Sequence, residues 1–201
     1  MSLGSHPFRP AILAILVLAH GALAHAQPSP PPEPRRAWAL GVSGGLWGRL
    51  AVGPLDERTA NLALDASVER RINRSREGGT AVRVQVGWGR GRGPGFEYDR
   101  LMIGVLHDLW RSRDYSGLEY AVYIAGGGGA HSVTPANLSA GLVRAGRSPS
   151  QGTQPSVFGA IGADGWVFGT RRAALRGEYQ LYSIGSQIYG SMSLGVQLDF
   201  P

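Results

Sequence analysis

Apolar side chains recur at every second position through most of this sequence, and this spacing constrains the fold more than any other feature. The segment 80–90 is a clear example, in which Val82, Val84, Val86 and Trp88 alternate with Arg83, Gln85, Gly87 and Gly89. Because successive side chains of a strand point to opposite faces, such alternation is typical of a β-strand with one apolar and one polar face. The chain is therefore predicted to be all-β.

The same spacing predicts about eight strands. They fall at residues 37–48, 60–73, 80–90, 97–110, 117–130, 156–169, 172–183 and 189–200. Residues 62–72, taken alone, also fit a helix. The faces of the fourth and sixth strands stay open, because both of their faces are apolar or small. An even number of strands suits an antiparallel barrel that closes with both chain ends on one side.

The predicted connections differ in length on the two sides of the barrel. Short turns follow strands two, four and six, at Glu77-Gly78-Gly79, Ser112-Arg113-Asp114 and Gly169-Thr170-Arg171. The connections on the other side include longer ones, the largest at 131–155. Short turns on one side and longer loops on the other are typical of outer-membrane barrels.

The polar faces of the strands suit the inside of a narrow barrel better than a water-exposed surface. They combine charged residues with glycine, which makes up 31 of the 201 residues. Small residues are needed where a narrow barrel must accommodate its own side chains. Glu69, Arg83, Arg176 and Glu178 share the inward face in this interpretation, and we predict that they form an ion network in the lumen.

The aromatic residues are predicted to form two girdles at the membrane interfaces. The girdle near the chain ends comprises Trp38, Trp110, Trp166, Phe168 and Phe200. The girdle at the other end comprises Trp47, Trp88, Phe96, Tyr98, Tyr182 and Tyr189.

The first 26 residues have the features of an export signal. Arg9 precedes the apolar run 11–18, and Ala24-His25-Ala26 offers small residues before a cleavage site. The run is too short for a membrane-spanning helix, and a Pro-rich segment follows it. We therefore predict a signal peptide at 1–26, an N-terminal linker at 27–36 and a barrel domain at 37–200.

Composition excludes several function classes. The chain has no Cys, so disulfides and thiolate metal sites are excluded, and no cofactor is predicted. The pI of 10.3 could indicate nucleic acid, but export removes the chain from nucleic acid and the arginines are scattered. Anionic outer-membrane lipid and lipopolysaccharide are the expected partners of this positive charge.

The end of the chain resembles a known class of membrane proteins. Residues 191–200 alternate without a break and end on Phe200, followed by Pro201. In this respect the sequence resembles small outer-membrane β-barrel proteins of the OmpA/OmpX type, over Trp38 to Phe200. The resemblance implies an antiparallel up-and-down transmembrane β-barrel in the cell outer membrane, with Phe200 as the signal read by the barrel-assembly machinery. In that class Phe is usually the final residue, so Pro201 departs from the pattern.

Three kinds of function are compatible with such a barrel. Lipid A deacylases of the PagL type place His and Ser two apart on one strand face, whereas His131 here is followed by Ser132 and Val133, so no enzyme activity is predicted. A narrow channel is the second alternative, although side chains fill a barrel of eight strands. We expect a monomer with a structural, adhesive or surface-ligand-binding role, whose loop residues Arg144 and Arg147 contact phosphates.

Overall fold

The computed structural model describes residues 36–49, 61–74, 78–90, 96–113, 118–135, 152–166, 172–184 and 187–201. These contain eight strands: β1 (Trp38–Arg49), β2 (Asn61–Arg74), β3 (Gly79–Arg90), β4 (Phe96–Arg113), β5 (Glu119–Pro135), β6 (Gly152–Trp166), β7 (Ala173–Ile184) and β8 (Gln187–Phe200). No helix in the described residues is long and apolar enough to cross a membrane. The predicted signal peptide and nearly all of the predicted linker lie outside these ranges.

The strands form one closed barrel in sequence order, and every pairing is antiparallel. Paired residues followed once around the barrel are Ala39, Glu69, Arg83, Gly104, Gly127, Phe158, Tyr182, Tyr189 and finally Arg49. The path returns to β1 displaced by 49 − 39 = 10 residues, which corresponds to strands tilted by about 40° to the barrel axis. The predicted fold class is confirmed.

The outer and inner faces of the barrel differ in polarity, as they do in a transmembrane barrel. Large aliphatic side chains point outward along every strand and stay exposed, whereas most charged residues of the strand interiors, among them Glu69, Arg83 and Glu178, point inward and are buried. The ambiguous fourth strand follows the same rule. Its outward face presents Leu101, Ile103 and Val105, and its inward face carries Arg100 and Met102.

Several strand ends differ from the prediction. The predicted loop at 131–155 is wrong at both of its ends, because β5 continues to Pro135 and β6 begins at Gly152. The predicted turn at 112–114 is also misplaced, since β4 continues to Arg113. Residues 62–72 lie within β2, so the helical alternative is excluded. Hydrogen bonding to a neighbouring strand stabilises these residues in the sheet. This stabilisation outweighs their local preference for a turn.

Residues 152–157 of β6 precede its pairing with β7, which begins at Phe158 and Tyr182. This leaves a short stretch of strand edge, whose N–H groups could pair with another chain. Two features of the sequence reduce that risk. The Val157 N–H donates to the Ser183 hydroxyl at 3.3 Å, and Pro155, which has the same orientation in the strand, has no N–H.

Glycine makes room for large side chains inside the barrel. A Cβ atom at Gly104 would lie 2.6 Å from the Phe158 ring and from the backbone oxygen of Gly126. A Cβ atom at Gly162 would collide with the Tyr123 hydroxyl. The high glycine content is thus partly a packing requirement of the narrow lumen.

Candidate functional site in the barrel lumen

The middle of the lumen contains the four residues that the sequence analysis assigned to an ion network. Arg83 lies between two carboxylates: its Nε atom donates to Glu69 Oε1 at 2.9 Å, and its Nη1 atom donates to Glu178 Oε2 at 2.5 Å. Arg176 reaches the same Glu69 oxygen through Nη1. These side chains come from β2, β3 and β7. The network therefore links strands that are not all adjacent in the barrel.

Further residues, which the sequence analysis did not assign, complete this network. Arg176 grips Asp164 with two parallel hydrogen bonds of 2.7 and 3.0 Å, and Arg71 donates to Glu69 at 3.0 Å. We call Glu69, Arg71, Arg83, Asp164, Arg176 and Glu178 the central network. Three guanidinium groups face three carboxylates within it, so the formal charges of these six residues cancel, and a further buried carboxylate, that of Asp108, lies 3.8 Å from Arg71. Such balance is needed, because an unpaired buried charge is costly.

Neutral side chains complete the hydrogen bonding of Glu178 in the central network. The Tyr123 hydroxyl donates to Glu178 Oε2 at 2.6 Å, and Gln180 Nε2 donates to Glu178 Oε1 at 2.5 Å. The Arg83 and Arg176 guanidinium groups lie over the Tyr123 ring, 5.3 and 4.8 Å from its centroid. Alternation alone indicated that these residues face inward, but not which of them meet.

A second set of polar contacts fills the lumen near the chain ends. Trp166 Nε1 donates to Asp199 Oδ2 at 2.9 Å, and Gln197 Nε2 donates to Asp199 Oδ1 at 2.7 Å. Arg111 pairs with Glu119 in the same region. Trp166 is 4% exposed, so its assignment to a lipid-facing girdle is wrong.

The other end of the lumen is filled by aromatic rings. Trp47, Tyr98, His131, Tyr182 and Tyr189 form what we call the aromatic cluster, with ring centroids of neighbouring members 4.4–5.9 Å apart. All five side chains are buried. The predicted outer girdle is therefore wrong for Trp47, Tyr98, Tyr182 and Tyr189, which face the lumen. Trp88 does face outward.

Arg100 contacts two rings of the aromatic cluster. Its guanidinium lies 6.0 Å from the Tyr98 ring centroid and 5.4 Å from the Tyr182 ring centroid. The Nε atom of the same group donates to Asp65 Oδ1 at 2.9 Å, and its Nη2 atom forms an ion pair with that oxygen at 2.7 Å. An aromatic cage of this kind can hold a cation ligand, but here the position is taken by the protein's own arginine.

His131 is the least satisfied polar residue of the aromatic cluster. It is 0% exposed, its ring stacks on Tyr182 at 5.0 Å, and neither ring nitrogen has a hydrogen-bond partner among the residues that the structure describes. Ser132 follows it on the same strand and therefore points to the opposite face. Ser156 also points into the lumen, but its hydroxyl and the His131 ring make no hydrogen bond with each other.

The remaining predicted residues lie on the outer wall or outside the described ranges. Phe200 faces outward at the end of β8, opposite Trp38 at the start of β1. These two aromatics agree with the predicted girdle near the chain ends. Arg144 and Arg147 lie outside the described residues. Within the described part of the chain, His, Asp and Glu side chains form no group of three that could hold a metal ion.

Comparison with solved structures identifies the fold. Neisserial surface protein A has a TM-score of 0.54 at 16% identity, with 82% of this chain and 97% of that chain covered. The outer membrane enzyme PagL has a TM-score of 0.50 at 10% identity, with 81% and 99% covered. Ail, the attachment invasion locus protein of Yersinia pestis, has a TM-score of 0.47 at 14% identity, with 84% and 99% covered.

No protein-family model and no curated protein sequence matches the chain. At these identities the structural likeness concerns the fold alone. The chain has the closed, eight-stranded antiparallel fold of outer-membrane β-barrels.

Proposed function

We propose that this protein is a non-conducting outer-membrane barrel that holds its loops at the cell surface in a structural or adhesive role. The observation that carries the proposal is the filled lumen. The central network, the aromatic cluster and the contacts of Asp199 occupy successive levels along the barrel axis. Eight strands enclose just enough space for such side chains, so a solute would have to displace paired charges.

A conductance measurement tests the closed lumen. The protein is refolded in detergent and added to a planar bilayer, with a known porin as the positive control. We expect no stepwise current from the wild type. A Tyr98→Ala/Tyr182→Ala variant is expected to stay closed as well, because the central network still blocks the middle of the lumen. Stepwise conductance of the wild type would contradict the proposal and favour a narrow channel.

The surface role predicts that the loops bind anionic groups. Arg144 and Arg147 are suited to phosphate, because the guanidinium can donate two parallel hydrogen bonds. We expect the Arg144→Gln/Arg147→Gln variant, refolded in phospholipid vesicles, to bind lipopolysaccharide more weakly than the wild type. Dephosphorylated lipopolysaccharide serves as the control ligand. Equal binding of lipopolysaccharide by both proteins would show that Arg144 and Arg147 do not contact its phosphates.

Catalysis is not part of the proposal. Among the described residues, His131 lies on the lumen side and has no acid to orient its ring, and Ser132 points away from it. A nucleophile needs a base within hydrogen-bond reach. Mass spectrometry of lipid A from cells that express the protein should show unchanged acyl chains. Loss of an acyl chain that depends on His131 would support the enzyme alternative instead.

A further inference from the structure

A small polar patch interrupts the apolar outer wall near the chain ends. It consists of Arg70 on β2, Thr80 on β3 and His107 on β4. Arg70 lies opposite Trp38 on one side and Val82 on the other, while Thr80 lies opposite His107. Thr80 and Val82 share the outward face, so Arg70 and Thr80 are diagonal neighbours within reach of a long side chain.

The three side chains take part in two separate contacts. The Arg70 guanidinium lies over the Trp38 ring, 5.3 Å from its centroid. Thr80 Oγ1 and His107 Nδ1 are 3.0 Å apart, a hydrogen-bond distance. When the Thr80 hydroxyl donates to Nδ1, the His107 Nε2 atom carries the proton and is left as a donor.

Arg70 differs from the inward-facing arginines of the described ranges because no described carboxylate forms an ion pair with it. Arg71, Arg83, Arg100, Arg111 and Arg176 each form an ion pair in the lumen. Arg70 is exposed on the outer wall and forms no ion pair with any described residue. Its cation–π contact with Trp38 orients the guanidinium but leaves its positive charge uncompensated.

Aliphatic side chains flank the patch on β2 and β4, and the exposed polar residue Asn73 lies opposite Thr80. Val68 and Ile72 flank Arg70 on β2, and Val105 and Leu109 flank His107 on β4, all with outward-facing, exposed side chains. A cation on the lipid face of a barrel costs about 2–4 kcal/mol at the bilayer midplane but only about 0–1 kcal/mol near an interface. Together with Trp38, an aromatic suited to the headgroup level, this places the patch at an interface.

We propose that Arg70, Thr80 and His107 bind the phosphate of one phospholipid in the leaflet nearest the chain ends. The Arg70 fork and the His107 N–H donate to phosphate oxygens, and the acyl chains lie along Val68 and Val105. The apolar surroundings favour a lipid headgroup over a free phosphate ion. This inference rests on the proposed membrane location of the barrel.

Native mass spectrometry of the folded barrel tests the site. The protein is released from detergent after incubation with dioleoylphosphatidylglycerol, and the fraction that retains one lipid is measured. Arg70→Gln should lower retention about fivefold, as expected for loss of one arginine near an anionic surface. His107→Leu should lower it about threefold, as for one lost hydrogen bond. Arg90→Gln, an exposed arginine on β3 at the opposite end of the barrel, is the matched control and should retain lipid like the wild type.

Two further ligands separate the possible sources of binding. Dioleoylglycerol has the same chains without phosphate and should be retained poorly, and millimolar glycerol phosphate should not displace the phospholipid. Equal retention of dioleoylglycerol, displacement by glycerol phosphate, or an Arg70→Gln variant that binds like the wild type would each overturn the inference. A heat-dependent gel shift confirms that each variant is folded. A wild-type chain that fails to insert into vesicles contradicts the proposed function, whereas one that inserts but retains no phospholipid contradicts this inference alone.

Discussion

Replacing Arg83 with Ala should destabilise the barrel more than any exposed arginine substitution. The Arg83 side chain is 2% exposed and bridges Glu69 and Glu178. Glu69 would keep Arg71 and Arg176 as partners. In the described ranges no other guanidinium is within ion-pair distance of Glu178, so this carboxylate would be left buried with only neutral donors.

The expected cost follows from that stranded carboxylate. Breaking a buried ion pair by removing one partner typically costs about 3–5 kcal/mol. With a urea slope of about 2 kcal/mol per molar, the unfolding midpoint should fall by about 2 M. Tryptophan fluorescence of protein folded in lipid vesicles measures the midpoint, and Arg74→Ala serves as the control.

A second variant separates the effect of the stranded charge on stability from the effect of lost packing. In the Arg83→Ala background, Glu178→Gln removes the stranded charge while keeping the shape of the side chain. If the charge is the cause, this double variant should regain about half or more of the lost stability, since residues in one network couple by about 0.5–3 kcal/mol. An unchanged midpoint for Arg83→Ala, or a double variant no more stable than the single one, would refute the reasoning.

Three further predictions concern assembly, packing and topology. Phe200→Ala should reduce the heat-modifiable, membrane-inserted fraction at equal expression, whereas deletion of Pro201 should leave it unchanged or increase it; an alanine variant that inserts normally would show that this end is not the assembly signal. His131→Phe should leave the urea midpoint unchanged or raise it, because an apolar ring of similar shape replaces a buried imidazole that has no hydrogen-bond partner in the described part of the chain; a clear drop would reveal a polar partner for His131. A single cysteine at Ser148 should react with an impermeant maleimide on intact cells and one at Arg74 should not, and the reverse pattern would invert the proposed orientation.

The sequence was sufficient where the two faces of a strand differ in chemistry. In β3, β7 and β8 aliphatic residues alternate with charged or amide residues, and the structure confirms the facing predicted for all three. The closed eight-stranded fold followed from that repeated pattern. Alternation also placed Glu69, Arg83, Arg176 and Glu178 on the inward face, because its period equals the period of the strand itself.

Only the tertiary structure decided which inward residues meet. Arg83 reaches Glu178 because the register offset of ten residues brings β3 and β7 to matching heights across the lumen, and no local pattern encodes that offset. An aromatic residue suits a lipid interface and a packed lumen equally well, so residue type led to the wrong girdle prediction for Trp47 and Tyr182. Alternation along β7 places Tyr182 on the inward face with Arg176 and Glu178. Alternation is a property of a single strand, whereas contacts across the lumen depend on how all eight strands are tilted and joined.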